Sequence, residues 1–273
     1  MILTWTLWRW MKRPLTGHPL YQRIVTHPPY IMPWYMGCVL ILLSPFLLLP
    51  AIVFLSAVYG LRWAVQIASG IADERESGMY DLLVISPAGA LGIGRLVMSA
   101  CIHRNESLEQ TEAAGTWIMR GFFTVVLMLI AASLSPSIIP PDAELFGGLI
   151  VAVYLLTMGL AMYIDHLQSM VLAVEIGILI PSYATRRLDA SAAAFILYLV
   201  IQVVTLLLTL LIGFTIAPRV LEIFQVSGVA SAFTLPLVRL GIFAGSREVI
   251  IRYLWRVLVR ETDATPSEVE FIR

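Results

Sequence analysis

Charge is scarce in this chain of 273 residues: Asp, Glu, Lys and Arg together make up 13% of it, about half the ~25% usual in soluble domains. So few charges cannot clothe an ordinary water-exposed surface. The acids and bases also balance to a formal net charge of zero, which removes the basic field that nucleic-acid binding needs. Cysteine is nearly absent. Cys38 and Cys101 show neither a CxxC nor a Cys/His spacing, excluding a disulfide framework and a thiolate metal site. The histidines His18, His27, His103 and His166 stand apart in sequence, so no HExxH helix is present. There is no GxSxG elbow. The glycine-rich run 89–94, followed by Arg95, lacks the Lys-Ser/Thr of a phosphate-cradling loop and follows no predicted strand; it reads as a turn between short helices. These absences together argue against an enzyme, and no cofactor or metal is expected. The first residues lack the compact apolar region of a cleavable signal.

What the chain does have is apolar length. It is 59% hydrophobic with a mean hydropathy of +0.86, and several apolar runs approach or exceed the ~18 residues of a spanning helix. The expectation is an all-α polytopic transmembrane helix bundle of about six spanning helices, with interfacial N- and C-terminal helices. Residues 1–32 form the interfacial N-terminal segment: Trp5, Trp8 and Trp10 favour the headgroup layer, beside Arg9, Lys12, Arg13 and Arg23. Residues 33–245 form the bundle, with a cytoplasmic segment over 70–117. Residues 246–273 form a cytoplasmic amphipathic helix and tail.

Residues 33–69 would make a helix of about 55 Å, too long for a ~30 Å hydrocarbon core. Basic residues flank both ends, so an even number of crossings is required, and a hairpin turning near Pro45–Pro50 supplies it. Residues 118–135 then run outward and 145–164 return, stopping at Asp165-His166. A broken or re-entrant helix over 168–185 carries Glu175. Residues 190–216 go out, 228–245 come back, and 246–260 lie on the membrane surface. With this topology Arg219 is the one cation of eighteen that faces outside, and both termini are cytoplasmic. In the tail, Arg252, Arg256 and Arg260 recur on one face, placing cations at anionic headgroups. Ile250, Leu254 and Leu258 recur on the other, toward the acyl boundary. Glu175 and Arg239 are the polar residues deepest in apolar runs and mark a solute path or an internal pair. The GxxxG at Gly241–Gly245 would let two helices approach closely.

The densest charge follows an apolar run directly: Asp73, Glu74, Arg75 and Glu76. Each would cost about 2.5–3.5 kcal/mol at the bilayer centre, so the segment lies outside, where it can meet a soluble partner. Gly78 permits a turn, Leu82, Leu83, Val84 and Ile85 form an apolar patch, and Pro87 ends it. The run from Ala72 to Pro87 resembles the signature of ABC-2-type transporter permeases, in which Glu-Arg-Glu-x-Gly-Thr leads to Leu-Leu and Thr-Pro after the second span. Residues 181–194 are similar to the Arg-rich turn before that family's fifth span. Met79 stands where the family has Thr, and Gly94-Arg95 replaces its Gly-Lys.

The resemblance implies the permease subunit of an exporter in a prokaryotic plasma (inner) membrane, paired with a second permease or as a homodimer. A separate ABC-type ATPase would dock on residues 71–95, with Asp73, Glu74, Arg75, Glu76 and Gly78 coupling the two. The lipid bilayer is the other partner. The alternative is a non-transporting structural subunit of a larger membrane complex.

Overall fold

Charge in an apolar run does not by itself end a helix here, as Asp165 inside the helix Glu144–Leu179 shows. A computed structural model describes residues 3–26, 55–85, 89–104, 108–109, 113, 116, 120, 123–124, 144–225 and 229–262. Among these, every regular element is helical. The order is α1 (Leu3–Met11), α2 (Pro19–Thr26), α3 (Leu55–Glu76), α4 (Met79–Val84), α5 (Gly89–His103) and α6 (Glu144–Leu179). A 3-10 turn (Ile180–Ser182) follows, then α7 (Arg187–Leu210), a π turn (Leu211–Ile216), α8 (Ala217–Ile223) and α9 (Val229–Glu261). Residues 33–54 of the expected hairpin lie outside the described residues, as does nearly all of the expected span 118–135.

Proline and glycine punctuate the elements. Pro19 opens α2, where its missing N–H is no loss, and His18 Nδ1 accepts the Leu20 N–H at 3.2 Å. Pro181 lies in the 3-10 turn that ends α6. By contrast, Asp165-His166 does not interrupt α6, which runs on for 36 residues, about 54 Å. The expected stop there and the broken helix over 168–185 are therefore replaced by one continuous helix. The reason is tertiary: Asp165 is paired with Arg247, so its charge needs no water. The expected break between 245 and 246 is absent as well, and Pro236 sits inside the unbroken α9.

The chain divides into two compact units. Unit 1 comprises Met1–Thr111, His166–Gln202 and Glu248–Arg273. Its centre is α3, whose Trp63, Ile67 and Ile71 are fully enclosed, together with Ile93 and Met98 of α5 and Met170 and Ile176 of α6. Glycine decides one approach. A Cβ on Gly177 would stand 2.8 Å from Ile67 Cβ, so only a bare backbone lets α6 lie this close to α3.

Two expectations are corrected in unit 1. Trp8 and Trp10 are buried within the protein, edge-on to His166 and Trp255 respectively, and only Trp5 keeps an exposed ring. On α9, Arg252, Arg256 and Arg260 are exposed as expected. Of the expected opposite face, Leu254 and Leu258 are buried in the unit's own core, with Ile251 beside them, rather than in an acyl layer, and Ile250 is only half-buried. An amphipathic helix buries its apolar stripe on whatever apolar surface is nearest, and here that surface is protein.

Unit 2 comprises Glu112–Asp165 and Val203–Arg247, and its polarity is reversed. Leu149, Val151, Leu156 and Leu160 of α6, and Val203, Leu207 and Leu210 of α7, are exposed. Asp165, Thr157, Thr205 and Arg247 are buried. Among the described residues, two helical stretches are long and apolar enough to cross a membrane: Gly147–Ser182, with mean hydropathy 2.0, and Arg187–Ile223, with 2.7. Only 22% and 17% of their most apolar windows are buried, unlike the core helix of a water-soluble domain. Exposed apolar stripes of this length suit hydrocarbon, not water.

Candidate functional site

Acidic side chains at the last turn of a helix oppose its negative end, yet α3 closes on Asp73-Glu74-Arg75-Glu76. The structure shows how that cost is offset. Glu76 Oε1 accepts the backbone N–H of Arg187 at 2.6 Å, so an acid from the end of α3 caps the start of α7, where the dipole favours it. Arg187 Nη1 also reaches Asp73 Oδ1 at 3.4 Å. Both partners of that pair are substantially exposed, so it contributes at most about 1 kcal/mol. Glu74 is buried and faces Arg23 of α2 at 3.7 Å. Arg75 donates Nη1 to the Pro181 carbonyl and covers the Tyr80 ring with its guanidinium, 4.3 Å from the centroid.

Gly78 makes the turn. Its φ of 71° is left-handed and its N–H bonds the Arg75 carbonyl at 3.0 Å, a glycine-type helix stop. Beyond it α4 buries Tyr80 and presents Met79, Leu82 and Ile85 outward at 40%, 71% and 82% exposure. Their three-residue spacing puts them along one side of a short helix. Arg23 Nη1 donates to Met79 Sδ at 3.3 Å, tying α2 to the base of this helix.

The two sequence segments singled out above, 72–87 and 181–194, are thus brought into direct contact. Of the five coupling residues expected from sequence, Asp73, Glu76 and Gly78 are exposed, Arg75 is half-buried and Glu74 is buried, and all five are engaged with the chain's own backbone or arginines. They form a clamp beneath α4. Sequence reading missed Arg23 and Tyr80 as members of it: Arg23 meets Glu74 and Met79 from more than fifty positions away, and Tyr80 lies under Arg75 only because the Gly78 turn folds the two together. The glycine-rich run 89–94 is not the expected turn but the opening of α5, where Gly94 fits against Ile178. Arg95 lies over the Trp10 ring at 5.0 Å. Burial, aided by the neighbouring Arg13, pushes its guanidinium below the ordinary value.

A second polar feature lies elsewhere in unit 1. Glu175 is 2% exposed, and neither carboxylate oxygen has a hydrogen-bond partner among the described residues. It lines a cavity of about 10 Å³ with Trp10, Met11, Val174 and Trp255, room for about one water. Glu248, in contrast, is fully used: it accepts the Leu3 N–H at 2.7 Å, capping α1, and also engages Thr4 and Arg252. Among the described residues, no group of three or more His, Cys, Asp or Glu could hold a metal ion.

Cys101, on α5, turns its sulfur to the Gln66 carbonyl at 3.9 Å. Burial pushes its thiol up to about 12, with Arg104 pulling weakly the other way. In a Cys38→Ser background the thiol is expected to resist maleimide at pH 8 until the protein unfolds. Because the folded thiol holds its proton more tightly than the unfolded one, its contribution to stability is complete below about pH 9 and falls away toward pH 12. Unfolding midpoints across that range, with and without Cys101→Ala, check the slope; equal slopes would discard the assignment.

Comparison with family models, with characterised proteins and with solved structures finds no match.

Proposed function

We propose that this chain is the membrane-spanning permease subunit of an ABC-2-like exporter in a prokaryotic plasma membrane, energised by a separate ATPase that docks on α4. The observation that carries this reading is α4 itself. Leu82 and Ile85 are among the most exposed large apolar side chains among the described residues, on a helix outside both apolar crossing stretches. Exposed apolar side chains that do not face lipid favour burial by a protein partner. The clamp beneath them gives a docked partner something to push on. Force on α4 passes through Arg75 to the Pro181 turn and through Glu76 and Asp73 to the first residue of α7, a helix apolar enough to cross. ATP chemistry belongs to the partner; this chain supplies a lever joined to a spanning helix. Six crossings with both termini cytoplasmic remain part of the proposal, with α4 on the cytoplasmic side.

Affinity purification of the tagged chain in mild detergent, followed by mass spectrometry, tests the reading. A stoichiometric ABC ATPase is expected, and Leu82→Glu with Ile85→Glu should remove it. Loss of two anchors at about 2 kcal/mol each amounts to roughly a thousandfold in affinity. Surface substitutions of this kind should move stability by only about 0.5 kcal/mol. A stable set of other membrane subunits with no ATPase would sink the proposal and leave the structural-subunit alternative in its place.

A further inference from the structure

An arginine within an apolar run is costly, and the role of Arg239 in unit 2 exceeds what one backbone hydrogen bond requires. Arg239 lies about ten residues into α9, and Gly213 about ten residues before the end of α8. Both are therefore roughly 15 Å from the turn at Phe224 and Gln225, about half the thickness of a hydrocarbon core. At that depth the helix leaving α7 relaxes into the π turn Leu211–Ile216, and α9 has just passed Pro236. Two backbone irregularities at one depth mark a place where regular helix packing is given up.

The side chain is held on two sides. Arg239 Nε donates to the Gly213 carbonyl at 3.0 Å. Its guanidinium carbon stands 3.9 Å over the Phe214 ring. A Cβ at position 213 would come within 3.3 Å of Arg239 Cγ, so glycine is what lets the arginine lie this close along the π turn. Nε and one face are thereby occupied. The two Nη groups, carrying four of the five guanidinium donors, make no ion pair or hydrogen bond among the described residues. They form the fork that takes a carboxylate or phosphate through two parallel bonds. Arg239 is half-buried, so that edge can be reached, and Leu210, Leu211, Leu237 and Val238 nearby in sequence expose apolar side chains.

We propose that Arg239, oriented by Gly213 and Phe214, binds the anionic head of an amphiphile whose apolar chain lies on unit 2. A freely soluble anion would gain nothing from the surrounding leucines, and a neutral lipid would leave the fork unused. A phosphate- or carboxylate-headed amphiphile satisfies both. The inference rests on the permease reading and deepens it, since it names the class of solute such an exporter would carry.

The test uses the purified full chain alone, so its outcome is independent of whether an ATPase co-purifies. Thermal unfolding is followed in phosphatidylcholine nanodiscs with added hexadecyl phosphate, hexadecanol or inorganic phosphate. Hexadecyl phosphate is expected to raise Tm where equal hexadecanol and inorganic phosphate do not. Arg239→Gln should weaken hexadecyl phosphate binding at least tenfold. Arg239→Lys should weaken it less, because an ammonium keeps the charge without the fork. Arg219→Gln should leave it unchanged. An equal shift by hexadecanol, an equal shift by inorganic phosphate, no shift by any probe, or loss with Arg219→Gln but not Arg239→Gln would each overturn the proposal. The three-probe comparison on the unmodified chain stands even if Arg239→Gln does not fold.

Discussion

Replacing Asp165 with alanine is expected to cost about 3–5 kcal/mol of stability, and replacing Arg247 with methionine a similar amount. The pair joins α6 to α9 within unit 2, and the two residues are 1% and 3% exposed. Phe243 adds a ring 4.8 Å from the Arg247 guanidinium. Neither charge can reach water, so removing one leaves the other desolvated without its ion-pair partner, and that cost exceeds the value of the attraction itself. The double change Asp165→Leu with Arg247→Met should recover most of the loss, because two apolar groups leave no stranded charge. A double-mutant cycle on detergent-solubilised protein, read by thermal unfolding, measures the coupling. Single variants within about 1 kcal/mol of the unmodified chain would mean that the pair is not enclosed as described.

Glu175→Leu is expected to act in the opposite direction and raise stability by about 1–3 kcal/mol. Both acids lie on α6, about ten residues apart, and both are buried. Among the described residues Glu175 has no donor on either oxygen and is surrounded by Val171, Val174, Ile178 and Trp255. An unpartnered polar group in such a place costs about 1–3 kcal/mol. Leucine has a similar volume and fits the same lining. The gain is read as a raised Tm in unit-neutral detergent, with Glu175→Gln as the control that keeps a polar group buried and should gain little. A fall in Tm for the leucine variant would show that the carboxyl is satisfied, contrary to this account. An acid kept where it destabilises the fold is a cost with no structural return, which makes Glu175 a residue to follow in any transport assay.

These two acids also show what could be read from sequence. Asp165 looked like a helix stop, and Glu175 like a mark of a solute path or an internal pair, on equal grounds of charge in an apolar run. The first reading failed because a helix needs only its backbone partners; Arg247, more than eighty positions away, removed the charge problem. For Glu175 no hydrogen-bond partner is present among the described residues, so burial alone does not choose between the two readings. Periodicity matched the tail in Arg252, Arg256 and Arg260, which are exposed, and in Leu254 and Leu258, which are buried, but missed by one at Ile250, where Ile251 is the buried residue. It could not say whether lipid or protein would cover the apolar face, since both present apolar surface. Trp8 and Trp10 failed for the same reason: an aromatic ring suits a headgroup layer and a protein core equally well.

The sequence by itself determined an all-helical chain with long apolar helices, a charge cluster at the end of one of them, and a glycine turn after it. Those properties depend on local backbone preference and on hydropathy summed over neighbours in sequence. Tertiary structure alone decided which acids would be neutralised, that Glu76 would cap α7, that Arg187 would meet Asp73, and that Gly213 would admit Arg239. Each of these is a contact between groups distant in sequence. Its energy depends on geometry within a few tenths of an ångström and on exclusion of water, neither of which is written in the order of residues.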